Sequence, residues 1–128
     1  MNEHAIAAWH RVLAARDANG LHGLLAEDAV FHSPVVHTPQ RGRALVAAYL
    51  SAAFVVLGND SFRYVREIVG ERDAALEFAT TIDGIHVNGV DLIGWNEHGL
   101  ITDFKVMIRP LKAIELIHRL MGQVLQST

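Results

Sequence analysis

At 128 residues and a net charge of -3, the chain has the length of one domain, residues 1-128, able to bury about two thirds of its unfolded surface. It is 51% hydrophobic and 20% charged, a globular balance that excludes wholesale disorder. The mild charge, with no interleaving of basic and aromatic residues, argues against a nucleic-acid partner. The absence of cysteine removes disulfide scaffolds, thiol catalysis and cysteine metal sites together, and fits a reducing compartment.

The N-terminal MNEHAIAAWHRVL is polar and carries acid early, unlike a secretory leader. The longest uncharged stretch, Ala44 to Asn59, is shorter than the roughly 20 residues of a membrane span. A cytoplasmic protein with no membrane partner is therefore expected.

In chain order, residues 3 to 17 suggest a helix with Ile6, Trp9, Val12 and Leu13 on one side and Asn2 as cap. A short second helix carries Leu21, Leu24 and Leu25. Residues Ala29 to Ser33 form a strand stopped by Pro34, and Pro34 to Gly42 form a loop. Ala44 to Leu57 is a third helix closed by Gly58; being apolar nearly all round, it is expected to be buried on most sides. Phe62 to Val69 is a strand and Gly70 to Asp73 its turn. Three further strands run from Asp73 to Pro110. Residues Leu111 to Leu125 form a last helix with Leu111, Ile114, Ile117, Met121 and Leu125 on one side, widened by Leu116, Leu120 and Val124. Helices followed by antiparallel strands make an α+β fold, with helices on one face of a curved sheet.

The Asp83-Gly84 pair between alternating segments is a type I′ hairpin signal. It sets Ile82 opposite Ile85, Phe78 opposite Gly89 and Leu76 opposite Asp91. The turn at Asn96 to Gly99 then predicts Trp95 opposite Leu100, Ile93 opposite Thr102 and Asp91 opposite Phe104. Because cross-strand partners share a face, one face collects Leu76, Phe78, Thr80, Ile82, Val87, Gly89, Asp91, Ile93, Trp95, Leu100, Thr102, Phe104, Val106 and Ile108. Asp91 is its only ionisable member. With no Lys or Arg beside it, burial is expected to raise its pKa and make it a neutral hydrogen-bond donor. The alternative is a structural anchor hydrogen-bonded to backbone, Trp9 or Tyr49, or a place at a bulge marked by Asn88-Gly89.

The opposite face holds Glu77, Asp103, Lys105 and Arg109 as surface ion pairs, with Val90, Leu92, Ile101 and Met107 among them. Four adjacent apolar residues on that face suggest a partner. The eight histidines lack metal-site spacing, so no metal and no other cofactor is expected.

The stretches ANGLHGLLAEDAVFHSPV, GRALVAAYL and GVDLIGWNEHGLITDFKVMIRP, in that order, resemble the SnoaL-like branch of the nuclear transport factor 2-like superfamily over residues 3 to 110. The resemblance implies a cone-shaped fold, a curved antiparallel sheet around helices with a pocket at one end, and a homodimer formed through the outer sheet face at Val90, Leu92, Ile101 and Met107. It covers ketosteroid isomerases, polyketide cyclases, dehydratases and epoxide hydrolases, besides members with no known activity. It implies that Asp91 corresponds to the oxyanion-hole aspartic acid of the isomerases, that Trp9 falls near their oxyanion-hole tyrosine, and that Tyr49 is a pocket-lining aromatic. Where their general base would follow the first strand, this sequence has Ser33, which cannot abstract a proton without a basic partner. His37 lies on the next loop, within reach of the mouth.

The expected site is thus Asp91 as acid, with Trp9, Ser33, His37, Tyr49, Phe78, Phe104 and Val106 around a small apolar molecule. The expected activity is a cofactor-independent isomerase, lyase or cyclase of a hydrophobic carbonyl compound. The alternative is a non-catalytic ligand-binding or dimerisation module.

Overall fold

The computed structural model describes residues 4–126. Its elements are α1 (Ala5–Ala15), α2 (Ala18–Leu24), β1 (Leu25–His32), β2 (Gln40–Arg41), α3 (Arg43–Leu57), β3 (Arg63–Val69), β4 (Asp73–Ile82), β5 (Ile85–Trp95), β6 (Ile101–Arg109) and α4 (Leu111–Gln126). The strands form one curved, unclosed six-stranded sheet in the order β2-β1-β6-β5-β4-β3, with β1 parallel to β6 and all other pairs antiparallel. This is the α+β architecture expected.

Local chemistry fixes the element ends. The His4 ring accepts from the Ile6 N–H at 3.1 Å at the start of α1, and Arg16 closes that helix in the left-handed region at φ 51°. The Asn2 cap expected from sequence lies outside the described residues. Asp17 caps α2 through the Gly20 N–H at 3.0 Å. Asp83 and Gly84 both have positive φ, 51° and 77°, as a type I′ turn requires, and β4 pairs with β5 in the expected register throughout.

Glycine at 89 is not a bulge. A Cβ there would lie 2.4 Å from Phe78 Cζ and 2.7 Å from the Met107 carbonyl oxygen, so Gly89 is the bare patch over which Phe78 lies. The irregularities fall elsewhere. Between Gly94 and Trp95 the β5–β6 register shifts: Trp95 pairs with Ile101, one residue beyond its expected partner, while Ile93 pairs with Phe104 and Asp91 with Val106, two residues beyond theirs. The extra residue in β6 is Thr102. It turns Ile101 inward, where it is 1% exposed, and removes Ile101 from the outer face predicted for it. Phe104, Val106 and Ile108 keep their inner side because the shift beyond the bulge is even.

The core lies between the inner sheet face and the helices, with Phe31, Phe78 and Phe104 fully buried. Each contributes on the order of 1.5–3 kcal/mol by leaving water. Helix α3 buries Val46, Leu50, Ala52, Phe54 and Val56 but leaves Val55 71% exposed, so it is less enclosed than its composition suggested. Helix α4 buries Ala113, Leu116 and Ile117 while Leu111 stands exposed, a stripe rotated from the predicted one. Two residues of the expected Pro34–Gly42 loop, Gln40 and Arg41, pair with β1 as β2.

Candidate functional site

Asp91 sits at the middle of β5, pointing into the core with only 6% of its surface exposed. Its Oδ2 accepts a 2.6 Å hydrogen bond from the Tyr64 hydroxyl. The Tyr64 oxygen accepts in turn from the Trp9 indole N–H at 2.9 Å. Three elements therefore converge in one chain of donors: α1 through Trp9, β3 through Tyr64 and β5 through Asp91. Among the described residues Tyr64 is the only hydrogen-bond donor to Asp91, and no fully buried side-chain polar atom lacks a partner.

Aromatic packing holds this chain in place. Trp9 lies between Phe104, with ring centroids 4.9 Å apart, and Phe54, 5.6 Å away. Phe62 stacks on Phe78 at 5.3 Å and meets Tyr64 edge-on at 5.3 Å. On the solvent side the His10 ring packs edge-on against Tyr64 at 5.4 Å and bonds to Glu67.

The low-dielectric surroundings set the ionisation. Burial pushes the Asp91 carboxyl up to about 7, with the Tyr64 hydrogen bond pulling the other way. Burial, then the neighbouring Asp91 charge, holds the Tyr64 phenol well above the ordinary tyrosine range, so it remains a donor at neutral pH. Asp91 is thus poised between its acid and its base form near neutrality.

Asp91 opens on a small cavity of about 40 Å³ lined by Trp9, Leu13, Leu50, Ala53, Phe54, Leu57, Phe62, Tyr64, Phe78, Phe104 and Val106. A second chamber of about 200 Å³ adjoins it, sharing Ala53, Leu57 and Val106 and lined also by Phe31, Ser33, Pro34, Tyr49, Ile108 and residues of α4. Of the residues expected around Asp91, the structure gathers Trp9, Phe78, Phe104 and Val106 in its cavity. Ser33 and Tyr49 stand in the second chamber instead, Tyr49 with its ring 5.8 Å from Phe31. The Ser33 hydroxyl accepts from the Val35 N–H at 3.1 Å. His37 is exposed, in a hollow of about 610 Å³ with His32, Lys105 and Met107 that shares Ser33, Pro34, Val36, Val106 and Ile108 with the second chamber. Neither Trp9 nor Tyr49 hydrogen-bonds to Asp91; that bond belongs to Tyr64, which was not among the expected site residues.

The outer sheet face carries pairs other than those expected. Glu77 pairs with Arg66 at 3.3 Å and accepts from Asn88, while Asp103 meets His32 at 3.0 Å. A wider hollow of about 360 Å³ lies there, between Arg66, Ile68, Glu77, Val90, Met107 and Arg109. It is open and holds no buried ionisable group, which leaves the Asp91 cavity as the site of chemical interest.

A model of the SnoaL-like domain matches residues 6–104. The chain is similar to a steroid delta-isomerase from Pseudomonas aeruginosa, with 36% identity over 96% of this chain and 90% of that one and a TM-score of 0.91. It is also similar to an uncharacterized bacterial protein with a cystatin-like fold from Silicibacter pomeroyi, with 39% identity over 93% and 83% of the two chains and a TM-score of 0.86. An NTF2-like protein of unknown function from Mesorhizobium loti shares the fold at 20% identity over 83% and 88%, with a TM-score of 0.71. A comparison with curated protein sequences found no match.

Proposed function

The chain belongs to the SnoaL-like domain family, and from that premise we propose that it is a cofactor-independent isomerase, lyase or cyclase of a small, largely apolar carbonyl compound, with Asp91 as its acid. The observation that carries this reading is a carboxyl near its titration point inside an aromatic cavity, bonded to a tyrosine that stays protonated. The similarity to a steroid delta-isomerase points the same way.

Protonated Asp91 and Tyr64 together offer one O–H to a substrate oxygen, in either of two arrangements. It donates from the oxygen that has no protein donor among the described residues. Otherwise it donates to Tyr64, whose oxygen already accepts from Trp9, and the Tyr64 proton then turns toward the cavity. Either arrangement stabilises negative charge on a carbonyl oxygen, in a setting where water competes little. Trp9 cannot ionise, so it holds Tyr64 without exchanging protons in the reaction.

A non-catalytic binding module is the second reading, and one observation favours it. Ser33, at the place where the isomerases carry a base, has its hydroxyl engaged by the Val35 N–H and lies outside the Asp91 cavity. The two readings separate by deuterium exchange at the carbon next to the carbonyl, followed by NMR in heavy water with a small β,γ-unsaturated ketone. Catalysis predicts exchange that Asp91→Asn slows by about 100-fold or more. Ketone binding without exchange, or exchange equal in both proteins, would set the catalytic reading aside.

Assembly belongs to the same reading: two copies pair through the outer sheet face at Val90, Leu92 and the 48%-exposed Met107. Ile101 takes no part because it points inward.

A further inference from the structure

Two consecutive residues of α1 reach the same tyrosine. The Trp9 indole N–H donates to the Tyr64 hydroxyl at 2.9 Å, and the next side chain, His10, sets its ring edge-on against the phenol with centroids 5.4 Å apart. The phenol is half-buried, with Phe62 edge-on to it at 5.3 Å and His10 on its solvent side. His10 is itself held, because its Nε2 lies within hydrogen-bond distance of Glu67 Oε1 on β3.

The backbone gives Tyr64 little support. Strand β3 stands at the sheet edge and pairs only with β4, and its ladder is interrupted by the bulge at Val65, the residue after Tyr64. The same bulge brings Glu67 to the helix side with Tyr64, where a regular strand would turn residues three apart to opposite faces. Glu67, His10 and Tyr64 thus form a cluster that joins α1 to β3 beside the Asp91 cavity.

Resting on the reading of Asp91 and Tyr64 as the groups that meet a substrate oxygen, we propose that His10 is a positioning residue, clamped by Glu67 so that its ring holds the Tyr64 hydroxyl on Asp91. His10 makes no hydrogen bond to Asp91 and acts through the tyrosine. Without its ring the outer side of the phenol opens, the phenol swings, and the 2.6 Å bond to Asp91 is made only part of the time. That bond draws the Asp91 carboxyl down against burial, so loosening it lets the carboxyl titrate higher.

Carboxyl carbon NMR of Asp91 over a pH series tests this and needs no substrate. In His10→Ala the midpoint should rise by about half to one pH unit, part of the rise expected for Tyr64→Phe. In a Tyr64→Phe background, His10→Ala should add less than about 0.2 unit, because no hydroxyl remains to position. Glu67→Gln can still bond to His10 and should stay near the native midpoint, whereas Glu67→Ala should reproduce about half of the His10→Ala rise. An unchanged or lowered midpoint in His10→Ala would overturn the proposal. So would an equal rise with and without the Tyr64 hydroxyl, and a native midpoint in Glu67→Ala would overturn the clamp. The deuterium-exchange assay separates this proposal from the catalytic reading. Exchange slowed about three- to tenfold in His10→Ala, the equivalent of half to one pH unit, supports both. No exchange in the native protein, with the midpoints as expected, removes the catalysis and keeps His10 as the residue that positions Tyr64.

Discussion

Replacing Asp91 by Asn should change how stability depends on pH, with a sign opposite to that of most aspartates. Folding lifts this carboxyl from 3.8 to about 7 because burial penalises the charged form. Below the unfolded pKa both states hold the proton and there is no penalty. Between about 4 and 7 the folded state binds the proton more tightly, so native stability falls as pH rises, and above 7 the loss is complete. Three units at 1.36 kcal/mol each give a limit of about 4 kcal/mol. Asn carries no charge to desolvate, and its carbonyl oxygen can still accept from Tyr64. Urea unfolding of both proteins at pH 4.5 and pH 8 measures the difference. Asp91→Asn should gain stability relative to the native chain by about 3 kcal/mol of that limit on going from pH 4.5 to pH 8. A relative gain near zero, or a native chain that grows more stable than the variant with rising pH, would refute the burial argument.

Tyr64→Phe removes the one contact that lowers the Asp91 pKa. A hydrogen bond to a charged group contributes about 1.5–3 kcal/mol, so the carboxyl should titrate roughly one to two units higher, read by carboxyl carbon NMR. Gly89→Ala forces a Cβ against Phe78 and the Met107 carbonyl. It should cost about 1–3 kcal/mol in chemical denaturation and disturb the Phe62–Phe78 stack. Met107→Lys should leave the fold intact while converting a dimer to monomer in sedimentation; a monomeric native chain would remove the proposed assembly.

How far the sequence reached is clearest at β4 and β5. There the Asp-Gly turn and strict alternation carried the pairing from Ile82 opposite Ile85 to Leu76 opposite Asp91 without error. A turn residue that must take positive φ fixes register locally, and a period of two fixes the face. The end of α3 was legible for the same reason, since Gly58 acts through its nearest neighbours. The inner place of Asp91 and the company of Phe78 and Phe104 followed from such rules, while Trp9 was placed there by the family resemblance.

Tyr64 was hidden because a bulge reverses parity. The Gly70–Asp73 turn sets Val69 opposite Ala74, and a regular count from there would put Val65, not Tyr64, opposite Phe78. Glu67 and Arg66 obey that count, Glu67 reaching His10 on the helix side and Arg66 reaching Glu77 on the other. The extra residue at Val65 then turns Tyr64 inward onto Asp91. Thr102 does the same in β6 and brings Ile101 inside. By itself the sequence determined the elements, the two-faced sheet and the buried acid, because these depend on local propensity and alternation. The partner of that acid, the separation of Tyr49 and Ser33 from it, and the chamber under α4 depend on where strands bulge and helices cross. Those are settled by packing between residues far apart in the chain, and only the tertiary structure decided them.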